Sequence, residues 1–164
     1  LGKKLKVIIA MDEIERPHNP YYSRIDQSPL KLSDAEWRKI LPEKIYHIAR
    51  GRGTEYPFLG KYWNFNGIGT YHCAACGNRL FRSDAKFQSS CGWPSFFESV
   101  REDSVLYKPD DSFGMDRIEV LCGRCEAHLG HVFDDLTHTG KSYCMNSIVL
   151  EFVPDDQSES MQKQ

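Results

Sequence analysis

This 164-residue chain has no long apolar run, no excess of basic charge, no internal repeat and no low-complexity block. The first absence excludes a membrane-spanning helix, which needs about 20 predominantly apolar residues. The longest apolar stretch near the start is Val7-Ile8-Ile9-Ala10-Met11, which is also weak for the core of a signal peptide. Lys and Arg total 21 against 23 Asp and Glu, a formal net charge of −2. No overall field therefore draws in nucleic acid or an anionic membrane, and neither is expected as a partner. What is present, 40% hydrophobic and 27% charged residues, is ordinary for a globular protein. The length suits one domain with a real core plus an arm or tail. A cytoplasmic monomer is expected; a chain that opens at Leu1 leaves a removed export signal as the alternative.

Residues 1 to about 30 hold Pro17, Pro20 and Pro29 among polar residues and read as an irregular arm. Ser33-Asp34-Ala35-Glu36 has capping-box form and should open a short helix through Trp37 and Ile40. A second short helix follows Pro42, with Ile45, Ile48 and Ala49 on one face, and ends at Gly51. From Thr54 the texture changes to short β-like runs between turn residues. Strands are expected at 70–73, 105–108, 117–122, 128–133 and 142–153. In the last, Ile148, Leu150 and Phe152 alternate with Val149, Glu151 and Val153, and the same period puts Cys144 and Asn146 on the Ile148 side. The tail 154–164 has nothing to bury and is expected to be disordered. The expected organisation is an arm with two short helices (1–52), a zinc-binding β-domain (53–153) and the tail.

Six cysteines are too few, and too far apart, for a small disulfide scaffold. Four fall in two C-x-x-C pairs, Cys73/Cys76 and Cys122/Cys125, the spacing of metal knuckles. Four thiolates satisfy a tetrahedral zinc ion completely and leave no open position for catalysis, so one structural zinc is expected. Ala74, Ala75, Gly77 and Gly123 ease the two turns. Lying about 45 residues apart, the knuckles would clamp distant segments together and stabilise the fold by a few kcal/mol or more. The alternative for either pair is a redox dithiol.

Cys91 and Cys144 remain. Either could be a small inert hydrophobe. Cys91, however, lies in Ser89-Ser90-Cys91-Gly92-Trp93-Pro94-Ser95-Phe96, where Gly and Pro enforce a loop, and Cys144 opens the final strand near Asn146. A thiolate at neutral pH needs cationic or hydrogen-bonding neighbours, and His128-Leu129-Gly130-His131 offers two imidazoles. Each of these histidines could instead be structural, or the two could hold a metal. Trp93 reads as core or as an apolar wall for a substrate methyl group.

From about Gly53 to Val153 the chain resembles the B-type methionine sulfoxide reductases. The resemblance rests on Gly53-Thr54-Glu55, Tyr71-His72-Cys73-Ala74-Ala75-Cys76-Gly77, Cys91-Gly92-Trp93-Pro94-Ser95-Phe96, Cys122-Gly123-Arg124-Cys125, His128-Leu129-Gly130-His131-Val132-Phe133 and Tyr143-Cys144-Met145-Asn146-Ser147. It implies a mainly β fold of two antiparallel sheets with short N-terminal helices and a four-cysteine zinc site. It implies Cys144 as the nucleophile that becomes a sulfenic acid, and Cys91 as the residue that resolves it to a disulfide. Trp93, with Phe133, matches the substrate pocket; His128, His131, Asp135 and Asn146 match the polar set that binds water and delivers a proton. It further implies the R epimer of methionine sulfoxide in oxidised proteins as substrate and thioredoxin or a similar dithiol as reductant. Two positions depart from the pattern. Ser142 stands where the family usually has Arg, with Lys141 next door on the opposite face. The loop 134–140 lacks the common Gly-Pro-rich form. The rival functions are a non-enzymatic zinc module and a general disulfide oxidoreductase or peroxide scavenger on the same two cysteines.

Overall fold

A computed structural model describes residues 18–156. The apolar run 7–11, the start of the arm and the tail beyond 156 lie outside the described residues. The two helices form as expected: α1 (Asp34–Ile40) and α2 (Glu43–Ala49). Ser33 caps α1 by accepting the Glu36 N–H at 3.2 Å, and the Ser33 hydroxyl lies 3.3 Å from the Glu36 carboxylate. Pro42 precedes α2, where its fixed φ and missing N–H cost nothing. The helices bury Trp37, Ile48 and Ala49 against the β-domain.

Among the described residues nine strands follow: β1 (Gly69–Cys73), β2 (Arg79–Arg82), β3 (Lys86–Phe87), β4 (Ser95–Phe96), β5 (Val105–Asp110), β6 (Arg117–Cys122), β7 (His128–Asp134), β8 (Lys141–Met145) and β9 (Leu150–Pro154). All pairings are antiparallel, in a three-stranded sheet β2-β1-β9 and a six-stranded sheet β3-β4-β8-β7-β6-β5. This is the expected two-sheet, mainly β fold. Pro109 falls in β5, an edge strand, where a missing N–H is tolerated. Aromatic rings join the sheets. Phe81 of β2 stacks on Phe96 of β4 at 4.4 Å, and Tyr71 of β1 meets Phe96 edge-on at 5.1 Å. Such pairs add about 0.5–1.5 kcal/mol each beyond the area they bury. No described helix is long and apolar enough to cross a membrane.

The expected single strand 142–153 is two strands in different sheets. β8 ends at Met145, a 3₁₀ turn spans Ser147–Val149, and β9 then pairs with β1. Side chains and distant chain divert the backbone there. Asn146 N donates to Leu129 O, Ile148 N to the Glu55 carboxylate, and the Ser147 hydroxyl accepts from Tyr62 N. β9 is covered on both faces: Leu150 and Val153, on opposite sides of the strand, are buried, and half-buried Phe152 packs against Tyr62, Phe65 and Tyr71. The short strands β2, β3 and β4 were not expected from the sequence.

The described part of the arm before α1, residues 18–30, has neither helix nor strand, yet it is pinned along its length. Ser23 N donates to Cys76 O at 2.9 Å, Asn19 Nδ2 to Ala75 O at 2.8 Å and Leu30 N to Arg124 O at 2.8 Å. The start of the tail is also held: Asp155 receives both ends of the Arg82 guanidinium, at 2.6 and 3.0 Å.

Candidate active site and metal centre

Strand register assembles the site. Glu119 of β6 pairs with His131 of β7, His131 with Cys144 of β8, and Cys144 with Ser95 of β4. Directly opposed residues in antiparallel strands present their side chains on the same face. One row across the large sheet therefore carries a carboxylate, an imidazole, a thiol and a hydroxyl.

The loop before β4 delivers the second thiol to this row. Cys91 Sγ lies 3.6 Å from Cys144 Sγ, although 53 residues separate them in sequence. The Ser95 hydroxyl lies beside both sulfurs, 3.3 Å from Cys91 and 3.8 Å from Cys144. The Ser142 hydroxyl is also 3.8 Å from Cys144, so the residue that replaces the family's arginine still touches the thiol. The pair titrates as a unit. It loses its first proton below the usual thiol range, chiefly because the two sulfurs hydrogen-bond, with help from Ser89 and Ser95. It holds the second above that range through the same bond, burial and repulsion between the sulfurs. Both cysteines are half-buried.

Trp93 is fixed beside them by its Nε1, which donates to Glu55 O at 3.1 Å. Glu55 N donates to Asn146 Oδ1 at 2.9 Å, and the Glu55 carboxylate accepts from Ile148 N at 3.0 Å. Residue 55 thus ties the Trp93 loop to the end of β8, a role the sequence reading did not assign. Asn146 also donates from Nδ2 to Leu129 O at 3.0 Å. Backbone partners at both ends of its amide fix it between residue 55 and β7.

The two histidines have carboxylate partners that sequence reasoning missed. His128 Nδ1 lies 2.6 Å from Glu119 Oε2, and His131 Nε2 lies 2.7 Å from Asp110 Oδ2. Burial holds His128 below the usual imidazole range despite the adjacent carboxylate. The neutral ring donates its Nδ1–H to the Glu119 carboxylate and keeps a lone pair on Nε2. Asp110 is held below the usual carboxylate range by the Ser112 hydroxyl and then by His131. Asp135 is not part of this cluster: it is exposed, and its carboxylate accepts from the neighbouring Leu136 N at 2.7 Å. The loop that lacks the family's form leaves it there, so the carboxylate against His131 is Asp110. Phe133 shares the His131 face of β7, its ring 6.4 Å away and 41% exposed. Lys141 turns away and pairs with Asp134 at 2.6 Å.

Cys73, Cys76, Cys122 and Cys125 form a separate, buried cluster whose sulfurs all lie within 4.8 Å of one another. Cys73 and Cys125 are 3.8 Å apart and Cys76 and Cys122 3.6 Å. Four thiolates at about 2.3 Å from a tetrahedral ion stand about 3.8 Å from one another, so the cluster fits a metal ion in size and donor type. Both knuckles close alike. Gly77 N donates to Cys73 O at 2.7 Å and Glu126 N to Cys122 O at 2.9 Å, with left-handed φ of 87° and 61° at the closing residues. Arg124 locks the arm over the first knuckle, donating to Cys76 O at 2.6 Å and Tyr21 O at 3.1 Å. A Cβ on Gly77 would meet Ser23 O at 2.4 Å. Gly77→Ala is therefore expected to cost about 2 kcal/mol or more, from left-handed strain plus the displaced arm. Denaturant unfolding measures it, and an unchanged midpoint would contradict the packing described.

Comparison with known proteins agrees with this geometry. Residues 41–154 match the family model described as the SelR domain. A protein of Methanosarcina barkeri named "Peptide methionine sulfoxide reductase MsrB" is 47% identical over 134 residues, 81% of this chain and 94% of the relative. Proteins bearing the same name in Leifsonia xyli subsp. xyli and Agrobacterium fabrum are 51% identical over 127 residues and 50% over 133. These alignments span 76% and 80% of this chain and 91% and 98% of those relatives.

Proposed function

The chain belongs to the SelR-domain family, the B-type peptide methionine sulfoxide reductases, and on that footing we propose that it reduces the R epimer of methionine sulfoxide in oxidised proteins through Cys144 and Cys91. The observation that carries this reading is the 3.6 Å contact between two cysteines outside the metal cluster, in register with His131. The first step is attack of the Cys144 thiolate on the sulfoxide sulfur. The oxygen must be protonated as it leaves, because a bare oxide is a poor leaving group. His131, balanced by Asp110, supplies that proton, and Trp93 walls the methyl group. Net, Cys144–SH and methionine sulfoxide become Cys144–SOH and methionine. Cys91 then attacks the sulfenic sulfur, forming the Cys91–Cys144 disulfide with loss of water. Thioredoxin or a similar dithiol, oxidised in its turn, returns both cysteines to thiols.

The four-cysteine cluster holds one structural zinc ion, which supplies no chemistry to the reaction and clamps β1 to the β6–β7 hairpin. The protein acts as a cytoplasmic monomer. In Cys91→Ser the first step is intact and the second impossible. One methionine per chain is expected, with a sulfenic acid trapped by dimedone in place of a disulfide and at least a hundredfold loss of thioredoxin-driven turnover. Sustained thioredoxin-driven turnover in this variant would remove Cys91 from the reaction.

A further inference from the structure

Arg52 carries a chemistry that neither the sequence motifs nor the proposed reaction has used. It stands between Gly51 and Gly53 with φ of +59°, a left-handed conformation that a long side chain adopts only when its surroundings enforce it. Its side chain is 49% exposed, yet its head reaches a carboxylate that is 1% exposed. Nε donates to Glu119 Oε2 at 3.1 Å, and Nη2 lies 3.0 Å from Glu119 Oε1 and 3.8 Å from Asp110 Oδ1. Those are the two carboxylates that hold His128 and His131.

We propose that Arg52 is a positioning residue for the sulfoxide-reducing site: its guanidinium fork fixes Glu119 and Asp110 together, and through them the rings of both histidines. The inference rests on the reductase reading and deepens it. Buried Glu119 accepts from both His128 Nδ1 and the Arg52 fork, and as that acceptor it keeps the His128 proton on Nδ1. Without Arg52, Glu119 loses the fork that holds it in plane with His128. Asp110 keeps Arg117, 3.6 Å away, so His128 responds more than His131. The other charges facing this network are Arg50, Lys108 and Glu126, which line a cavity of about 250 Å³ shared with Arg52, Glu119 and His128; from β8 the group in register with His131 is Cys144. A lysine brings one charge but no fork.

The test uses the zinc-loaded, reduced protein, ¹⁵N-labelled, as wild type, Arg52→Gly and Arg52→Lys. Ring ¹⁵N–¹H spectra and the single-turnover rate on methionine-R-sulfoxide are followed from pH 5 to pH 8. Glycine removes the fork and relieves the left-handed backbone but leaves buried Glu119 without that partner, so stability is expected to fall while the fold and zinc content hold at 25 °C. Wild-type His128 is expected as one Nδ1–H tautomer. Arg52→Gly is expected to show mixed tautomers, a displaced pH profile and a rate loss on the order of tenfold, with Arg52→Lys between. Unchanged ring signals and pH profile in Arg52→Gly overturn the positioning role. Ring signals that move in a protein whose wild type reduces no sulfoxide overturn the reductase reading on which the role rests.

Discussion

Replacing Cys144 by serine is expected to abolish sulfoxide reduction, with a loss of at least about 10³-fold, or about 4 kcal/mol of transition-state stabilisation. A serine hydroxyl is a far weaker nucleophile than a thiolate at neutral pH, and it cannot be oxidised to the sulfenic acid through which the sulfoxide oxygen leaves. The substitution changes little else. Cys144 is half-buried, and the smaller hydroxyl fits the space the thiol leaves. Unfolding free energy is expected to stay within about 1 kcal/mol of the parent, with zinc content unchanged. Stopped-flow or single-turnover quantification of methionine checks the first point and denaturant unfolding the second. A variant that keeps more than a few per cent of the parental single-turnover rate would place the nucleophile elsewhere.

Cys122→Ser is expected to do the opposite: to unmake the fold and reduce activity only as a consequence. Cys73 ends β1 of the small sheet and Cys122 ends β6 of the large one, with Cys76 and Cys125 on the knuckles between them. One ion bonded to all four would tie the two sheets at a point where the chain has no disulfide. Metal binding at such a site is folding free energy, about 10–16 kcal/mol in small zinc domains. A typical domain is stable by only about 5–15 kcal/mol. Losing one ligand is expected to remove several kcal/mol, release the zinc and lower the melting temperature by more than about 10 °C. Chelation of the parental protein is expected to act in the same direction. Metal analysis alongside thermal unfolding reads both effects. A Cys122→Ser protein that melts with the parent, without metal, would leave the cluster as four packed thiols.

These contrasting expectations for two cysteines show what was legible in the sequence. The metal knuckles were, because C-x-x-C is a local spacing and its turn chemistry lies within five residues. The meeting of Cys91 with Cys144 was not, since it depends on β4 pairing with β8, and β4 is only two residues long. Family likeness supplied that pairing. The break in 142–153 escaped for a related reason. Its apolar alternation runs straight through Ser147–Val149, while the bonds that stop the strand come from Glu55, Tyr62 and Leu129. Asp110 and Glu119 were invisible as partners, though Glu119 had a signal: a carboxylate set inside the β-run Arg117–Cys122, next to apolar Ile118 and Val120. Asp135 was named by likeness alone, and it lies exposed in the loop that departs from the pattern, its carboxylate on Leu136 N.

The most direct test mixes the reduced, zinc-loaded protein with the separated R and S epimers of an N-acetylated methionine sulfoxide amide, without external reductant, and counts methionine formed per chain. The two-thiol account predicts one methionine per chain from the R epimer, accompanied by the Cys91–Cys144 disulfide, and none from the S epimer. Methionine from the S epimer, or none from either, would contradict it.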